Sequence, residues 1–339
     1  MISQAQVAPD ASRADRRQQL LDCLADGARH SGAVLARDLG ISRTAVWQHI
    51  KALRAAGAEV FSKRGGGYRL DEPLDLLDAG TIRKELSAEA RARLQALDVY
   101  FETDSTNERL LQRAATDDVH AHACLAEIQT AGRGRRGRTW IAPLGGALAM
   151  SLAWRFQSGI EALRGLSLAV GVGVHRALEA CGVGRGLTLK WPNDILWQGR
   201  KLGGVLVEVR GESCGPALAV IGVGINVALT ATARRSIGQP VADLRAVLGR
   251  RPPRNMLAAA VLREVLAVVR MFERHGFAAF AQHWRRRDGI RGRRVGVVLP
   301  SGRVSGRAEG VDADGALLLS VHGSLRRYPA GELSVRLTR

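Results

Sequence analysis

Gln129-Thr130-Ala131-Gly132-Arg133-Gly134-Arg135-Arg136-Gly137-Arg138-Thr139-Trp140 interleaves arginines with glycines and closes on a tryptophan. Glycine lets backbone N–H groups approach a ligand closely, and the guanidinium fork matches carboxylate and phosphate oxygens. A loop of this composition is built to hold anions. It is not a P-loop, because G-x-x-x-x-G-K-[ST] occurs nowhere in the chain. A solvated basic loop and an RGG-like nucleic-acid tract are the competing readings. The segments on either side decide between them.

Upstream, the strand-like Val99-Tyr100-Phe101-Glu102 runs into Asp104-Ser105-Thr106-Asn107. Downstream come Lys190-Trp191-Pro192-Asn193-Asp194, then Arg200-Lys201-Leu202-Gly203-Gly204-Val205-Leu206-Val207-Glu208, then Gly222-Val223-Gly224-Ile225-Asn226. Across 76–285, β-branched runs alternate with helical stretches, as in a mixed α/β domain. The patterns predict strands over 98–103, 122–128, 146–154, 187–190, 194–198, 203–209 and 217–224, and helices over 105–115, 160–181 and 255–274. Beyond Trp284–Gly289, short strands alternate with turns at Ser301-Gly302, Asp312-Ala313-Asp314-Gly315 and His322-Gly323, which reads as a small β-barrel.

Residues 1–16 are polar and rich in small side chains, and read as a disordered tail. Leu20, Leu21 and Leu24, then Val34, Leu35 and Leu39, mark two short helices. Gly40 breaks the pattern, and Ser42 is placed to cap a third helix over Arg43–Ala56. In that helix Val46, Ile50 and Leu53 share one face, leaving Arg43, Thr44, Gln48 and Lys51 on the others. Val60-Phe61 and Gly65-Gly66-Gly67-Tyr68-Arg69-Leu70 read as a hairpin wing. Residues 41–70 hold Arg43, Lys51, Arg54, Lys63, Arg64 and Arg69 against the single acid Glu59. The alternatives are a DNA-reading winged helix-turn-helix and a plain three-helix packing module.

The 339 residues suffice for two or three domains, and 46% hydrophobic with 24% charged residues is the composition of a soluble globular protein. The net charge of +18 favours polyanions. The basic residues include only five lysines (Lys51, Lys63, Lys84, Lys190 and Lys201), a skew that GC-rich codon usage also produces. Cys23, Cys124, Cys181 and Cys214 are scattered without a C-x-x-C, which fits free thiols in a reducing cytoplasm better than a disulfide framework or a zinc site. Asp10, Arg13 and Asp15 interrupt any signal-peptide core, and the apolar runs Leu166–Val174 and Ala217–Ile225 fall short of the roughly 20 residues that span a bilayer. The expected location is the cytoplasm, with no membrane contact.

Taken in order, Asp104–Asn107, the glycine-arginine loop, the Lys190 and Lys201 segments and Gly222–Asn226 resemble the biotin protein ligase family. Over residues 18–339 the chain resembles the bacterial bifunctional form, which also represses biotin genes. The resemblance implies an α+β chain: a tail over 1–16, a winged helix-turn-helix over 17–78, a catalytic domain of the biotin/lipoate ligase type over 79–285 and an SH3-like β-barrel over 286–339. It implies activation of biotin by ATP, with Mg2+, to biotinyl-5′-adenylate. The biotinyl group then passes to a lysine of the biotin carboxyl carrier protein of acetyl-CoA carboxylase.

On the same resemblance, Lys201, Arg133 and Arg135 carry the catalysis. Ser105, Thr106, Asn107 and Gln129 take the polar end of biotin, Trp140, Gly204 and Leu206 line its slot, and Gly134 offers backbone N–H. Lys190, Trp191, Asn193, Asp194 and Asn226 serve ATP, with Ala228–Val241 as a lid that lacks the aromatic some repressor-type relatives carry. Arg43, Thr44, Gln48, Lys51, Lys63 and Arg64 face biotin operator DNA, and the adenylate-bound chain is a homodimer. A transcription factor with a degenerate catalytic domain, a ligase with a non-repressing winged domain, and a lipoate–protein ligase are the alternatives.

Overall fold

The structure is a computed structural model that describes residues 11–63, 65–299, 302–329 and 334–337. The chain opens with α1 (Ala11–Leu24), α2 (Gly32–Asp38) and α3 (Arg43–Ala55), followed by a hairpin of β1 (Val60–Lys63) and β2 (Gly67–Leu70). Leu20, Leu21, Leu24, Leu35, Val46, Ile50 and Leu53 make their common core. Ser31 and Ser42 cap α2 and α3 by accepting from Val34 and Ala45 N–H. The wing is tied back to the helices by reciprocal backbone bonds of 2.8 Å between His30 and Tyr68. Gly67 permits this approach: with φ at +81°, a Cβ there would sit 2.0 Å from His30 O.

Helix α1 begins at Ala11, so residues 11–16, expected in a disordered tail, are helical, while 1–10 lie outside the described residues. Anchors explain the extension. Arg16 donates to Leu39 O at 2.7 Å, and Arg17 pairs with Glu102 at 2.9 Å and stacks over Phe101. Phe101, Ile128 and Leu144 of the next domain complete the winged core, so the two units share apolar surface.

The central domain comprises α4 (Ala79–Glu85), α5 (Ala88–Arg93), β3 (Ala96–Thr103), α6 (Thr106–Arg113), β4 (His122–Gln129), β5 (Ala147–Phe156), α7 (Leu166–Ala180), β6 (Leu187–Lys190), β7 (Asp194–Trp197), β8 (Arg200–Gly211), β9 (Ala217–Asn226), α8 (Ala231–Ser236), α9 (Leu244–Leu248), α10 (Arg254–His275) and α11 (Ala278–Arg287). The strands form one sheet in the order β3-β4-β5-β9-β8-β7-β6, parallel only between β3 and β4. Leu148, Met150, Leu152, Trp154 and Phe156 of β5 point to the face covered by α7 and α10. The other face carries α6, through Leu110 and Leu111 against Cys124, Ala153 and Val220. The helix expected over 160–181 divides at Gly165: Ile160–Leu163 is a 3-10 turn, and α7 starts only at Leu166. Gly165 sits at φ +79°, where a Cβ would collide with Phe277 at 2.7 Å.

The C-terminal strands β10 (Arg294–Leu299), β11 (Gly302–Val311), β12 (Leu317–Val321), β13 (Ser324–Tyr328) and β14 (Ser334–Leu337) form an antiparallel sheet in the order β13-β12-β11-β10-β14. Its core residues, among them Val295, Val297, Leu317 and Leu319, are continuous with Trp284 and the central core. The segment between wing and α4 is knitted into the central domain. Leu77 N–H donates to Glu127 at 2.6 Å, Arg254 pairs with Glu127 at 2.8 Å, and Asn255 binds Asp75 at 2.7 Å. All four cysteines are free.

Candidate active site

Strand register builds the floor of the site. Ala149, Ser151 and Ala153 of β5 lie opposite Gly224, Gly222 and Val220 of β9, which lie opposite Gly204, Leu206 and Glu208 of β8. One face of the sheet therefore carries a patch of Ala, Ser and Gly where α6 stops. Side chains that small leave a depression. It is the floor of a cavity of about 510 Å³, lined by all the residues assigned above to biotin and ATP.

The glycine-arginine loop forms one wall. Gly134 N–H donates to Arg138 O at 2.7 Å and Trp140 N–H to Gly132 O at 2.8 Å, so the loop folds back on itself. The turn of the fold-back is Arg135–Gly137, with Arg136 at φ +59°. This brings the Trp140 indole against Gly224, where a Cβ would lie 2.5 Å from the ring. The Lys201 ammonium lies 5.9 Å from the same ring's centroid.

At the α6 end, Ser105 occupies the N-cap position, yet its hydroxyl makes no capping bond. Gln129 caps instead, its Oε1 accepting from Thr106 N–H at 2.9 Å and from Thr106 Oγ1 at 3.2 Å. Buried Ser151, which the sequence reading missed, places its hydroxyl 2.7 Å from Thr106 Oγ1 and 2.6 Å from Asn107 Oδ1. The alternation of β5 opposite Gly222 was the available signal. Asn107 spends its amide on Glu208 at 2.7 Å, so it positions its neighbours. Arg133 pairs with Glu108 at 2.9 Å and Glu208 at 3.2 Å. Its charge is thus paired within the protein. Burial lowers the Arg135 guanidinium from its ordinary value, with Asp194 opposing the shift.

At the other end, the β7–β8 hairpin presents Asp194 between two ammonium groups, Lys201 at 2.6 Å and Lys190 at 3.3 Å. Burial pushes the Asp194 carboxyl up, but Lys201 and Lys190 overturn this and hold it below the usual carboxylate range. The cluster keeps a net positive charge. Three residues assigned to ATP have framework bonds. Asn193 donates to Val205 O at 2.7 Å, Asn226 to Lys201 O and Ala242 O at 3.2 and 3.0 Å, and the fully buried Trp191 indole to Gly315 O at 3.0 Å. The segment expected as a lid pairs with β8 at its end, Lys201 N–H donating to Pro240 O at 3.0 Å, and adds Ser236, Ile237, Gln239 and Val241 to the lining. Asp194 is the only carboxylate that lines the cavity among the described residues. Both its oxygens are taken by Lys201 and Lys190, so an Mg2+ ion here would be held mainly by phosphate oxygens and water, as that ion prefers.

On the winged domain, Arg43, Thr44, Gln48 and Lys51 are exposed on α3, and Lys63 is exposed on β1. Arg64 lies outside the described residues. Trp47, 51% exposed with Lys51 stacked on it at 5.7 Å, belongs to the same face.

Residues 100–226 match the biotin/lipoate A/B protein ligase family, 16–69 an HTH domain and 291–336 the biotin protein ligase C terminal domain. The bifunctional ligase/repressor BirA of Escherichia coli is 39% identical over 318 residues, covering 94% of this chain and 96% of that protein. A biotin–[acetyl-CoA-carboxylase] ligase of Mycobacterium tuberculosis is 36% identical over 262 residues, covering 76% of this chain and 95% of its own. Among solved structures, the biotin protein ligase from Aquifex aeolicus in complex with biotin and ATP superposes with a TM-score of 0.62 at 27% identity, over 72% of this chain and 100% of that one.

Proposed function

This chain belongs to the family of bifunctional biotin protein ligases and repressors, and from that premise we propose how its residues divide the work. The biotin carboxylate attacks the α-phosphorus of ATP, pyrophosphate leaves, and a carrier lysine amine then displaces AMP from the resulting anhydride. The observation that carries this reading is that Lys201 and Arg135 line one cavity together with the α6 cluster and the Lys190–Asp194 pair.

The first step brings two anions together. At an effective dielectric near 20, unit charges 4 Å apart repel by about 4 kcal/mol, roughly a thousandfold in rate if uncompensated. Lys201 and Arg135 supply fixed positive charge at that point. Lys201 is held aimed by Asp194, and Arg135 by a loop folded on its own backbone. Arg133 acts one layer out, bridging α6 to β8 through Glu108 and Glu208. Ser105, Thr106 and Gln129 offer donors and acceptors to the ureido group, a pattern lipoate lacks. Trp140 over Gly224 closes the slot on the thiophane ring and chain. Lys190 meets the phosphates, while Asn193, Asn226 and Trp191 hold the frame around the nucleotide. A bound Mg2+ would offset triphosphate charge, held by phosphate oxygens and water, since Lys201 and Lys190 take both oxygens of Asp194. Pyrophosphate release that requires both biotin and ATP, followed by transfer to a carrier domain, tests the scheme.

For repression, Arg43, Thr44, Gln48, Lys51, Lys63 and Arg64 contact operator DNA, with Trp47 added from the structure. One winged domain gives limited affinity, and palindromic operators are read by two-fold dimers. The outer edge of β8 supports a dimer. Strand β7 pairs only with Arg200–Gly204, leaving the far half of β8 without a second neighbour among the described residues. That free edge starts at Leu206, in the cavity wall, so an adenylate that orders the wall also orders the edge. A carrier protein docking at the same mouth would compete with dimerisation. No described helix is long and apolar enough to cross a membrane, and we place the protein in the cytoplasm.

A further inference from the structure

Helices α7 and α11 take no part in this chemistry, yet they bring together His175, Glu179 and His283. His175 and Glu179 stand one turn apart on α7. The His283 ring approaches from α11 with its centroid 5.7 Å from that of His175, edge to face.

The His175 side chain is fully buried between two oxygens, with Leu187 O 3.3 Å from Nε2 and Glu179 Oε2 3.2 Å from Nδ1. A neutral imidazole has one N–H for the two. In the tautomer that donates Nε2–H to Leu187 O, the Nδ1 lone pair faces the carboxylate, and Nδ1 has no aligned hydrogen-bond partner. His283 Nε2 is also buried without a partner. Burial lowers both imidazoles, His283 to about 4 with Arg176 adding to the effect. One ligand atom from each of the three side chains thus lies within 4.8 Å of the others.

We propose that His175 Nδ1, Glu179 Oε2 and His283 Nε2 form a site for a divalent transition metal of the zinc class, with the fourth position left to water. Zinc bonds of about 2.0–2.1 Å place tetrahedral ligands roughly 3.3 Å apart, close to the 3.2 Å between His175 and Glu179. One donor atom of each residue lies within 4.8 Å of the others, so a side-chain rotation at His283 closes the set. The outer partners are in place. Leu187 O would accept Nε2–H of His175 while Nδ1 binds the ion, and Arg287 holds Glu179 Oε1 at 2.8 Å, the arrangement that orients metal ligands. Arg176 and Arg287 add positive charge nearby and moderate the affinity. Glu179, 39% exposed, opens the way in. The ion would clasp α7, which underlies the sheet, to α11, which leads into the C-terminal strands.

Equilibrium dialysis of the full chain against Zn2+ tests the site. The wild type should bind one equivalent, and His283→Gln and Glu179→Gln should each bind it at least tenfold more weakly with unchanged circular dichroism. Zn2+ should raise the melting temperature of the wild type and leave that of His283→Gln in place. Co2+ in place of Zn2+ should give tetrahedral ligand-field bands without thiolate charge transfer. Absence of binding, equal affinity in wild type and both variants, or a thiolate band that puts the metal on a cysteine would each overturn the proposal.

Discussion

Lys201 is the residue on which the first chemical step leans hardest. Its ammonium is positioned by Asp194 at 2.6 Å and stands beside the Trp140 ring. Lys201→Ala should slow biotin-dependent pyrophosphate release by about 10²–10³, the usual cost of removing one preorganised charge-stabilising group, with circular dichroism unchanged. A wild-type rate would remove Lys201 from the mechanism. Arg135→Ala should release the adenylate about 10–100-fold faster, as loss of a charged hydrogen bond worth about 1.5–3 kcal/mol implies; an unchanged dissociation rate, measured by chase, would rule that role out. Their convergence on one cavity was legible because each sits inside a motif. Their division of labour was not. Nothing in the spacing of Arg133 tells that Glu108 and Glu208 claim its charge, nor that Asn226 spends its amide on Lys201 O and Ala242 O. Ser151 is an ordinary strand serine until sheet register sets it opposite Gly222.

Elements with strong periodicity or long β-branched runs were readable, which is why α10 and the seven central strands fall within a few residues of their expected places. Short helices such as α8, α9 and α11 were missed because they bury only a few side chains each. The break at Gly165 combines a positive φ with close packing against Phe277, far along the chain. The ion pair joining β4 to α10 is equally non-local. Arg254 is fully buried against Glu127 and also donates to Asp75 O and Ala147 O. Arg254→Ala leaves the Glu127 carboxylate in the core and should cost about 3–5 kcal/mol in denaturant unfolding. A loss under 1 kcal/mol would mean that water replaces the guanidinium.

At the level of the whole molecule, the boundary expected at 78/79 cuts through bonds of the central domain, since Asp75 and Leu77 are held by Asn255 and Glu127. A chain beginning at residue 72 should therefore biotinylate a carrier domain while losing operator binding, and one beginning at 79 should melt at lower temperature. Operator shift by the shorter chains would move the DNA contact elsewhere, to the basic stretch Arg285–Arg294. With the winged domain present, binding should weaken steeply as salt rises, because phosphate contacts release counterions. The adenylate couples to dimerisation only as far as it binds the dimer better than the monomer. Sedimentation should show a tighter dimer with a non-hydrolysable biotinyl-adenylate analogue; equal constants would leave DNA binding constitutive, with the lid lacking an aromatic as the physical reason. The central claim, ligation of biotin through one anion-holding cavity, is tested most directly by mass spectrometry of a biotin carboxyl carrier domain incubated with the full chain and ATP. The account predicts one biotinyl group on a single lysine, dependent on ATP and biotin and lost with Lys201→Ala; no mass gain, or a gain when lipoate replaces biotin, would contradict it.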